Sequence, residues 1–171
     1  MADDRAADGF EFEKLLSWAY RGEVSGETLF DALAEHFAPL GLGPRLRRLA
    51  ELERSMGAAL LPLLDELGIT GGDLDRARRD AIAAADEIGR QSYADFLASF
   101  EPVTTAALVR YQRLASLGRE RDRPVLALLI HHEEALRDFG RSELAGDPDR
   151  SLDPVDGVIA RLQRRSPGPG A

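Results

Sequence analysis

The spacing of its apolar residues constrains the fold of this 171-residue chain more than any other feature. Apolar side chains recur at alternating steps of three and four positions, which is the period of a helix buried along one stripe. No segment alternates apolar and polar residues as a half-buried strand would. The chain has no cysteine, which excludes disulfides, thiolate zinc sites and iron–sulfur clusters. We therefore predict an all-α fold with one domain over residues 1–165.

Glycine and proline residues divide the chain into separate helices. The predicted helices cover residues 10–37, 44–67, 73–100, 102–118, 124–144 and 153–164. Asp73 is expected to be an N-cap, and Gly146 should follow the end of a helix. Four main helices would build the bundle, with one or two short helices added to it. Residues 166–171 are rich in proline and glycine, so we predict a disordered tail there.

The charge and hydropathy of the chain argue against nucleic-acid and membrane partners. The net charge of −8 argues against a nucleic-acid partner, because neutralising phosphates requires a basic surface. No apolar run approaches the ~20 residues that a membrane span requires. The first residues are acidic, unlike the basic start of a signal peptide, so we expect a cytoplasmic protein. The abundance of alanine, arginine, glycine and aspartate is typical of a GC-rich bacterial genome.

Three of the predicted helices carry one ionisable residue each in an otherwise apolar stripe. These residues are Glu23, Glu53 and His132. The other stripe positions are apolar or small: Leu16, Ala19, Gly26, Phe30, Leu33, Phe37, Leu46, Leu49, Met56, Leu60, Leu63, Leu67, Val125, Leu129, Leu136 and Phe139. An unpaired buried carboxylate costs several kcal/mol or has a raised pKa. We therefore expect the three groups to meet across the core, with a proton or a cation between them.

Structural alternatives remain open for each of these residues. Either glutamate could form an ion pair with a buried arginine such as Arg110, and His132 could be a neutral core histidine. In a hairpin of the first two helices, Glu23 and Glu53 differ in level by about 9 Å, and Glu27 lies closer to the level of Glu53. Several helix-interior glycines indicate close helix packing or room beside a ligand: Gly22, Gly26, Gly57 and Gly140. A further set of side chains could form plain core or line a ligand cavity: Trp18, Phe30, Met56, Phe96, Phe100 and Phe139.

The segments around the ionisable residues resemble the ferritin-like superfamily. Residues 20–27 and 49–56 are similar to segments that carry carboxylate ligands there, and residues 129–134 offer further ligand types. Di-iron members use a glutamate from each of two helices and Glu-x-x-His from each of the other two. This chain departs from that pattern, because Met56 follows Glu53 at the third position and Leu136 follows Glu133. A complete di-iron set is therefore not visible.

The resemblance implies a ferritin-like four-helix bundle that binds iron, or manganese, and forms a homodimer. It implies a metal site of Glu23, Glu53, His132 and Glu133, with Glu27 and His131 in support. Oxidative chemistry or iron handling would follow, although no catalytic residue or organic cofactor can be assigned and enzymatic activity stays open. From the third and fourth helices, Glu87 and Asp95 are the nearest carboxylates.

A metal-free bundle is the alternative, in which Glu23, Glu53 and His132 form a hydrogen-bonded network that fixes helix register. Such a protein would bind a small apolar ligand or a protein partner. The incomplete ligand motif favours this alternative, whereas three aligned polar interruptions favour the metal site. A helix-turn-helix regulator fits neither the acidic charge nor the long helices.

Overall fold

The computed structural model describes residues 2–165, and side chains from residue 7 onward. The helices are α1 (Ala2–His36), α2 (Gly43–Leu67), α3 (Leu74–Ile88), α4 (Tyr93–Ala98), α5 (Phe100–Leu117), α6 (Arg123–Leu144) and α7 (Asp153–Arg165). Single 3₁₀ turns lie at Ala38–Leu40 and Glu120–Asp122. No strand occurs within residues 2–165, so the all-α class is confirmed for that range. The tail predicted for residues 166–171 lies outside the described residues.

Most helix boundaries lie close to their predicted positions, but the third predicted helix is wrong. It was expected to continue from Asp73 to Phe100, whereas α3 ends at Ile88 and α4 begins at Tyr93. The Asp73 cap is confirmed, because its side chain accepts a hydrogen bond from a backbone N–H at 2.8 Å. A second cap causes the break: the Ser92 hydroxyl accepts from the backbone N–H of Asp95 at 3.1 Å and starts a new helix.

Four long helices contact one another in a closed ring, in the order α1, α2, α6, α5. The other three helices pack outside the ring: α3 against α1, α4 against α5 and α6, and α7 against α2 and α6. Residues 2–165 thus form a helical bundle with three added helices, where the sequence predicted one or two. No helix within residues 2–165 is both long enough and apolar enough to span a bilayer.

Contacts at one end of the ring define the helix directions. Phe30, near the end of α1, packs against Phe100 at the start of α5, with ring centroids 6.1 Å apart. Arg45, at the start of α2, lies 3.4 Å from the carboxylate of Glu143 at the end of α6. This end therefore holds the ends of α1 and α6 and the starts of α2 and α5.

The opposite end shows the reverse arrangement. Arg113, near the end of α5, pairs with Glu11 of α1 at 2.6 Å. Arg119, just before α6, pairs with Glu66 at the end of α2 at 2.8 Å. Helices α1 and α6 therefore run one way and α2 and α5 the other way, so the order is up-down-down-up. Helices α3 and α4 form the crossover that connects the end of α2 to the start of α5.

The ring encloses an apolar core. Its fully buried large side chains are Leu16, Leu33, Leu46, Leu49, Leu52, Met56, Leu60, Leu64, Leu114, Leu126, Leu129 and Phe139. Each such side chain stabilises the fold by roughly 1.5–3 kcal/mol when it leaves water. This apolar burial offsets the cost of the ionisable groups that interrupt the same stripes.

Candidate metal centre

Side chains from all four ring helices meet in the middle of the bundle. The Nε2 atom of His132 lies 3.3 Å from Oε2 of Glu23 and 3.2 Å from Oε2 of Glu53. The Tyr111 hydroxyl donates a hydrogen bond to Oε1 of Glu23 at 3.3 Å. The carboxylate of Glu133 lies 3.8 Å from Nδ1 of His132. We call these five residues the polar cluster.

The polar cluster is buried and, among the side chains that the structure describes, has no basic partner other than His132. The side chains of Glu23 and His132 are each 1% exposed. Among the described side chains, no arginine or lysine forms a salt bridge with Glu23, Glu53 or Glu133. Arg110 lies exposed at the surface, 4.5 Å above the ring of Trp18. The ion-pair alternative with Arg110 is therefore excluded.

Two glycines allow the glutamates of α1 and α2 to approach each other. A Cβ atom at Gly26 would lie 2.6 Å from Cδ of Glu53 and 2.8 Å from both of its carboxylate oxygens. A Cβ atom at Gly57 would lie 3.4 Å from Cβ of Glu23. Each glutamate thus faces a glycine of the other helix. Glu23 and Glu53 are therefore offset by about one helical turn, roughly 5 Å, which is less than the predicted ~9 Å.

The two residues predicted in support lie outside the polar cluster. The carboxylate of Glu27 accepts a hydrogen bond from Arg54 Nε at 2.6 Å on the bundle surface. His131 is exposed, since adjacent residues of a helix lie about 100° apart and His132 takes the buried position. Glu87 and Asp95 are also exposed. Neither joins the polar cluster, and the residue that does so from the fourth predicted helix is Tyr111.

Sequence reasoning missed Tyr111. The residue lies on the buried stripe of α5 together with Thr104, Leu108 and Leu114, so it looked like one more core residue. A buried tyrosine hydroxyl usually has a hydrogen-bond partner, and that requirement could have identified it.

Three polar atoms of the cluster have no hydrogen-bond partner: Nδ1 and Nε2 of His132 and Oε2 of Glu23. Buried polar atoms are nearly always paired, and each one left unpaired costs about 1–3 kcal/mol. In this arrangement the polar cluster has donor and acceptor capacity that protons shared between the carboxyls, or a cation, can complete.

Burial also changes the proton affinity of the cluster. It raises the pKa of the Glu23 carboxyl well above its ordinary value; His132 opposes this rise, and Glu53 adds to it. Burial likewise raises the pKa of the Glu53 carboxyl well above its ordinary value, and that of Glu133 by less. The pKa of the Tyr111 hydroxyl is raised well above its ordinary value by burial and by Glu23. The three carboxylates together hold more negative charge than one imidazole can neutralise, so the cluster requires protons or a cation.

The donor atoms fit a single metal ion. Ligand atoms of Glu23, Glu53 and His132 all lie within 4.8 Å of one another. Ligands held about 2.1 Å from an ion lie about 3.0 Å apart in octahedral geometry and about 3.4 Å apart in tetrahedral geometry. The distances of 3.2 and 3.3 Å from Nε2 to the two carboxylates fall between these values. Imidazole and carboxylate together suit iron, manganese or zinc.

Glu133 has a different position from the one predicted. It was expected as a fourth ligand, but its carboxylate lies 3.8 Å from Nδ1 of His132, whereas Glu23 and Glu53 lie near Nε2. That distance is too long for a hydrogen bond, so Glu133 adds negative charge beside the imidazole without fixing its orientation.

A cavity of about 330 Å³ leads to the polar cluster. Its polar lining includes Glu53, Tyr111, His132 and Glu133. The apolar lining is Trp18, Leu29, Phe30, Ile88, Phe96, Phe100, Val103, Ala107 and Leu136. Four of the aromatic residues that could form either core or cavity therefore line the cavity, whereas Met56 and Phe139 belong to the core.

No protein-family model matches this chain, and searches of curated proteins and of solved structures also found no match.

Proposed function

We propose that this protein is a ferritin-like metal-carboxylate protein in which Glu23, Glu53 and His132 bind one divalent metal ion, iron or manganese. The observation that carries the proposal is the polar cluster itself. Three buried carboxylates face one imidazole, no arginine or lysine pairs with them among the described side chains, and three polar atoms lack partners. A bound cation would supply the missing charge and would bond to Nε2 of His132 and Oε2 of Glu23.

The order of the helices supports the ferritin-like part of the proposal. An up-down-down-up ring with a long crossover between its second and third members is the arrangement found in ferritin-like bundles. The departures from the di-iron pattern favour one ion over two. Met56 and Leu136 occupy the positions where Glu-x-x-His would place histidines, and both are apolar and buried.

The cavity favours oxidative chemistry on an organic molecule over iron storage. Bound iron or manganese would supply redox and Lewis-acid chemistry at the inner end of an apolar space. The carboxylates of Glu23 and Glu53 would hold the ion. Tyr111 orients Glu23 through its hydrogen bond, and Glu133 adds negative charge beside His132. Phe30, Phe96 and Phe100 give this space apolar walls.

The metal-free bundle is the second candidate function. The raised pKa values of Glu23, Glu53 and Glu133 favour it, because protonated carboxyl groups can share hydrogen bonds without a metal ion. In that case the cavity would be a binding site for a small ligand and the protein would not be an enzyme.

Metal content of matched variants tests the proposal. The protein is purified from medium supplemented with iron and manganese, and metal per chain is measured by elemental analysis. The test variants are Glu53→Gln and His132→Gln. Their matched controls are Glu27→Gln, on the outer surface, and His131→Gln, the exposed neighbour of His132.

We expect about one metal ion per chain in the unmodified protein and in both controls, and little or none in the two test variants. Circular dichroism confirms that each variant is folded. If the unmodified protein stays metal-free even after incubation with iron(II) or manganese(II), the metal-free bundle replaces this proposal. Two ions per chain would contradict the single-ion site.

A further inference from the structure

Small residues on facing helices form the cavity. On α1 the lining contains Gly22, Ser25 and Gly26, and on α5 it contains Thr104 and Ala107. Larger side chains at these positions would close the space between α1 and α5. The gap therefore results from the particular residues that the two helices present to each other.

Aromatic rings form the walls around this gap. Phe96 packs edge-on against Phe100 with ring centroids 5.1 Å apart, and Phe30 lies 6.1 Å from Phe100. At the outer margin, Val103 is 63% exposed, so the cavity is open to solvent there. The volume of about 330 Å³ is near the lower limit of ligand pockets and suits a molecule with a single ring.

The inner end of the cavity is acidic. Its lining includes Glu53 and Glu133 but no arginine or lysine, and Glu23 lies directly behind it. A divalent ion bound as in the proposed function would balance two of these three carboxylates, and His132 would be neutral as a ligand. The inner end of the cavity would therefore not carry a net positive charge. A carboxylate or phosphate group on a ligand would therefore find no counter-charge there.

We propose that the cavity binds a small aromatic molecule whose polar end is a hydrogen-bond donor and is neutral or positively charged, with a primary amine as the simplest example. The ring packs among Phe30, Phe96 and Phe100, and the donor faces Glu53 and Glu133. This inference rests on the proposed function for the chemistry at the inner end. Binding itself is measurable with or without metal.

Fluorescence of Trp18 provides a direct assay, because Trp18 lines the cavity and is the only tryptophan in the chain. The probes are 2-phenylethylamine and 3-phenylpropionate, which share a ring and a two-carbon linker and differ in the charge of the polar end. Each is titrated into the protein as purified and into the protein treated with a chelator. We expect saturable binding of the amine and about tenfold weaker binding, or none, of the carboxylate.

Two substitutions on neighbouring residues of α5 locate the binding site. Ala107→Phe fills the cavity, whereas Ala106→Phe places the same side chain at an exposed position. We expect the amine to lose saturable binding to Ala107→Phe and to keep it with Ala106→Phe. If Ala107→Phe does not fold, Ser25→Leu narrows the cavity from α1 instead.

The outcomes separate this inference from the proposed function. A metal-containing protein that binds neither probe, or that binds the carboxylate at least as tightly, overturns the inference and leaves the metal site intact. Amine binding that survives the filling of the cavity also overturns it. If the protein takes up no iron(II) or manganese(II) and still binds the amine, the inference is supported and the proposed metal chemistry is contradicted.

Discussion

Gly26→Ala tests whether Glu53 is a metal ligand, because the added methyl group would displace its carboxylate. The added methyl carbon would lie 2.6 Å from Cδ of Glu53 and 2.8 Å from both carboxylate oxygens. Ordinary contact begins at 3.4 Å, so Cδ has to retreat by about 0.8 Å and the carboxylate oxygens by about 0.6 Å. The obstructing group is the end of a flexible side chain, so it can move without shifting the backbone of α2.

The substitution therefore separates fold stability from metal affinity. Alanine in a helix interior is more stable than glycine by about 0.5–1 kcal/mol, and Gly26 has no positive φ that alanine would strain. That gain offsets much of the cost of moving Glu53. A ligand displaced by about 0.6 Å exceeds the ~0.2 Å tolerance of metal–ligand distances. We expect metal affinity to fall about 10- to 100-fold, with unfolding free energy changed by less than about 1 kcal/mol.

Gly22→Ala is the matched control. Its added carbon would lie 3.6 Å from the Tyr111 hydroxyl, which is ordinary contact, so metal affinity is expected to stay unchanged. Isothermal titration of the metal-free protein with manganese(II) measures affinity, and urea unfolding measures stability. Gly26→Ala protein that binds manganese as tightly as the unmodified protein would refute the placement of Glu53 as a ligand.

Three further effects are expected. Tyr111→Phe removes the hydrogen bond to Glu23, so manganese affinity should fall about tenfold by titration; unchanged affinity would mean that the hydroxyl does not orient this ligand. Asp73→Ala removes the cap of α3 and should lower the unfolding free energy by about 1 kcal/mol in urea, whereas no loss would contradict the capping role. Metal-free protein should lose stability as pH rises above the ordinary carboxyl range, and Glu53→Gln should weaken this loss.

The sequence predicted most of the helices and the ionisable residues that interrupt their buried apolar stripes. This was possible because helical period determines which residues are buried, and a buried charge stands out against apolar neighbours. Glu23, Glu53 and His132 were found in this way. Their convergence across three helices followed from the cost of burying each alone.

The remaining features depend on contacts between helices, which the period of a single helix does not reveal. Tyr111 was missed because half of its side chain is apolar and its position fits the stripe. Glu27 was expected near Glu53 because its level along the hairpin is closer. The side of the helix on which each residue lies is what matters. Glu27 pairs with Arg54 on the bundle surface, whereas Gly26 faces the core and leaves room for Glu53.

The pH dependence of stability reports whether protons or a cation complete the polar cluster. Burial raises the pKa of the Glu23 and Glu53 carboxyls above their ordinary value of 4.5. Between that value and the raised pKa, the folded metal-free protein binds protons that the unfolded chain has released. Its stability is therefore full below this window and falls as pH rises through it.

A metal ion reverses the dependence, because it binds the same oxygens only after their protons leave. Urea unfolding of chelator-treated protein from about pH 5 to about pH 8 should show falling stability. Glu23→Gln with Glu53→Gln should flatten the curve, since amides do not titrate, and Glu27→Gln should leave it unchanged. The stabilisation by added manganese(II) should grow over the same range. Metal-free stability that rises with pH would mean that these carboxylates are ionised and paired in the folded protein, which would remove the need for a cation.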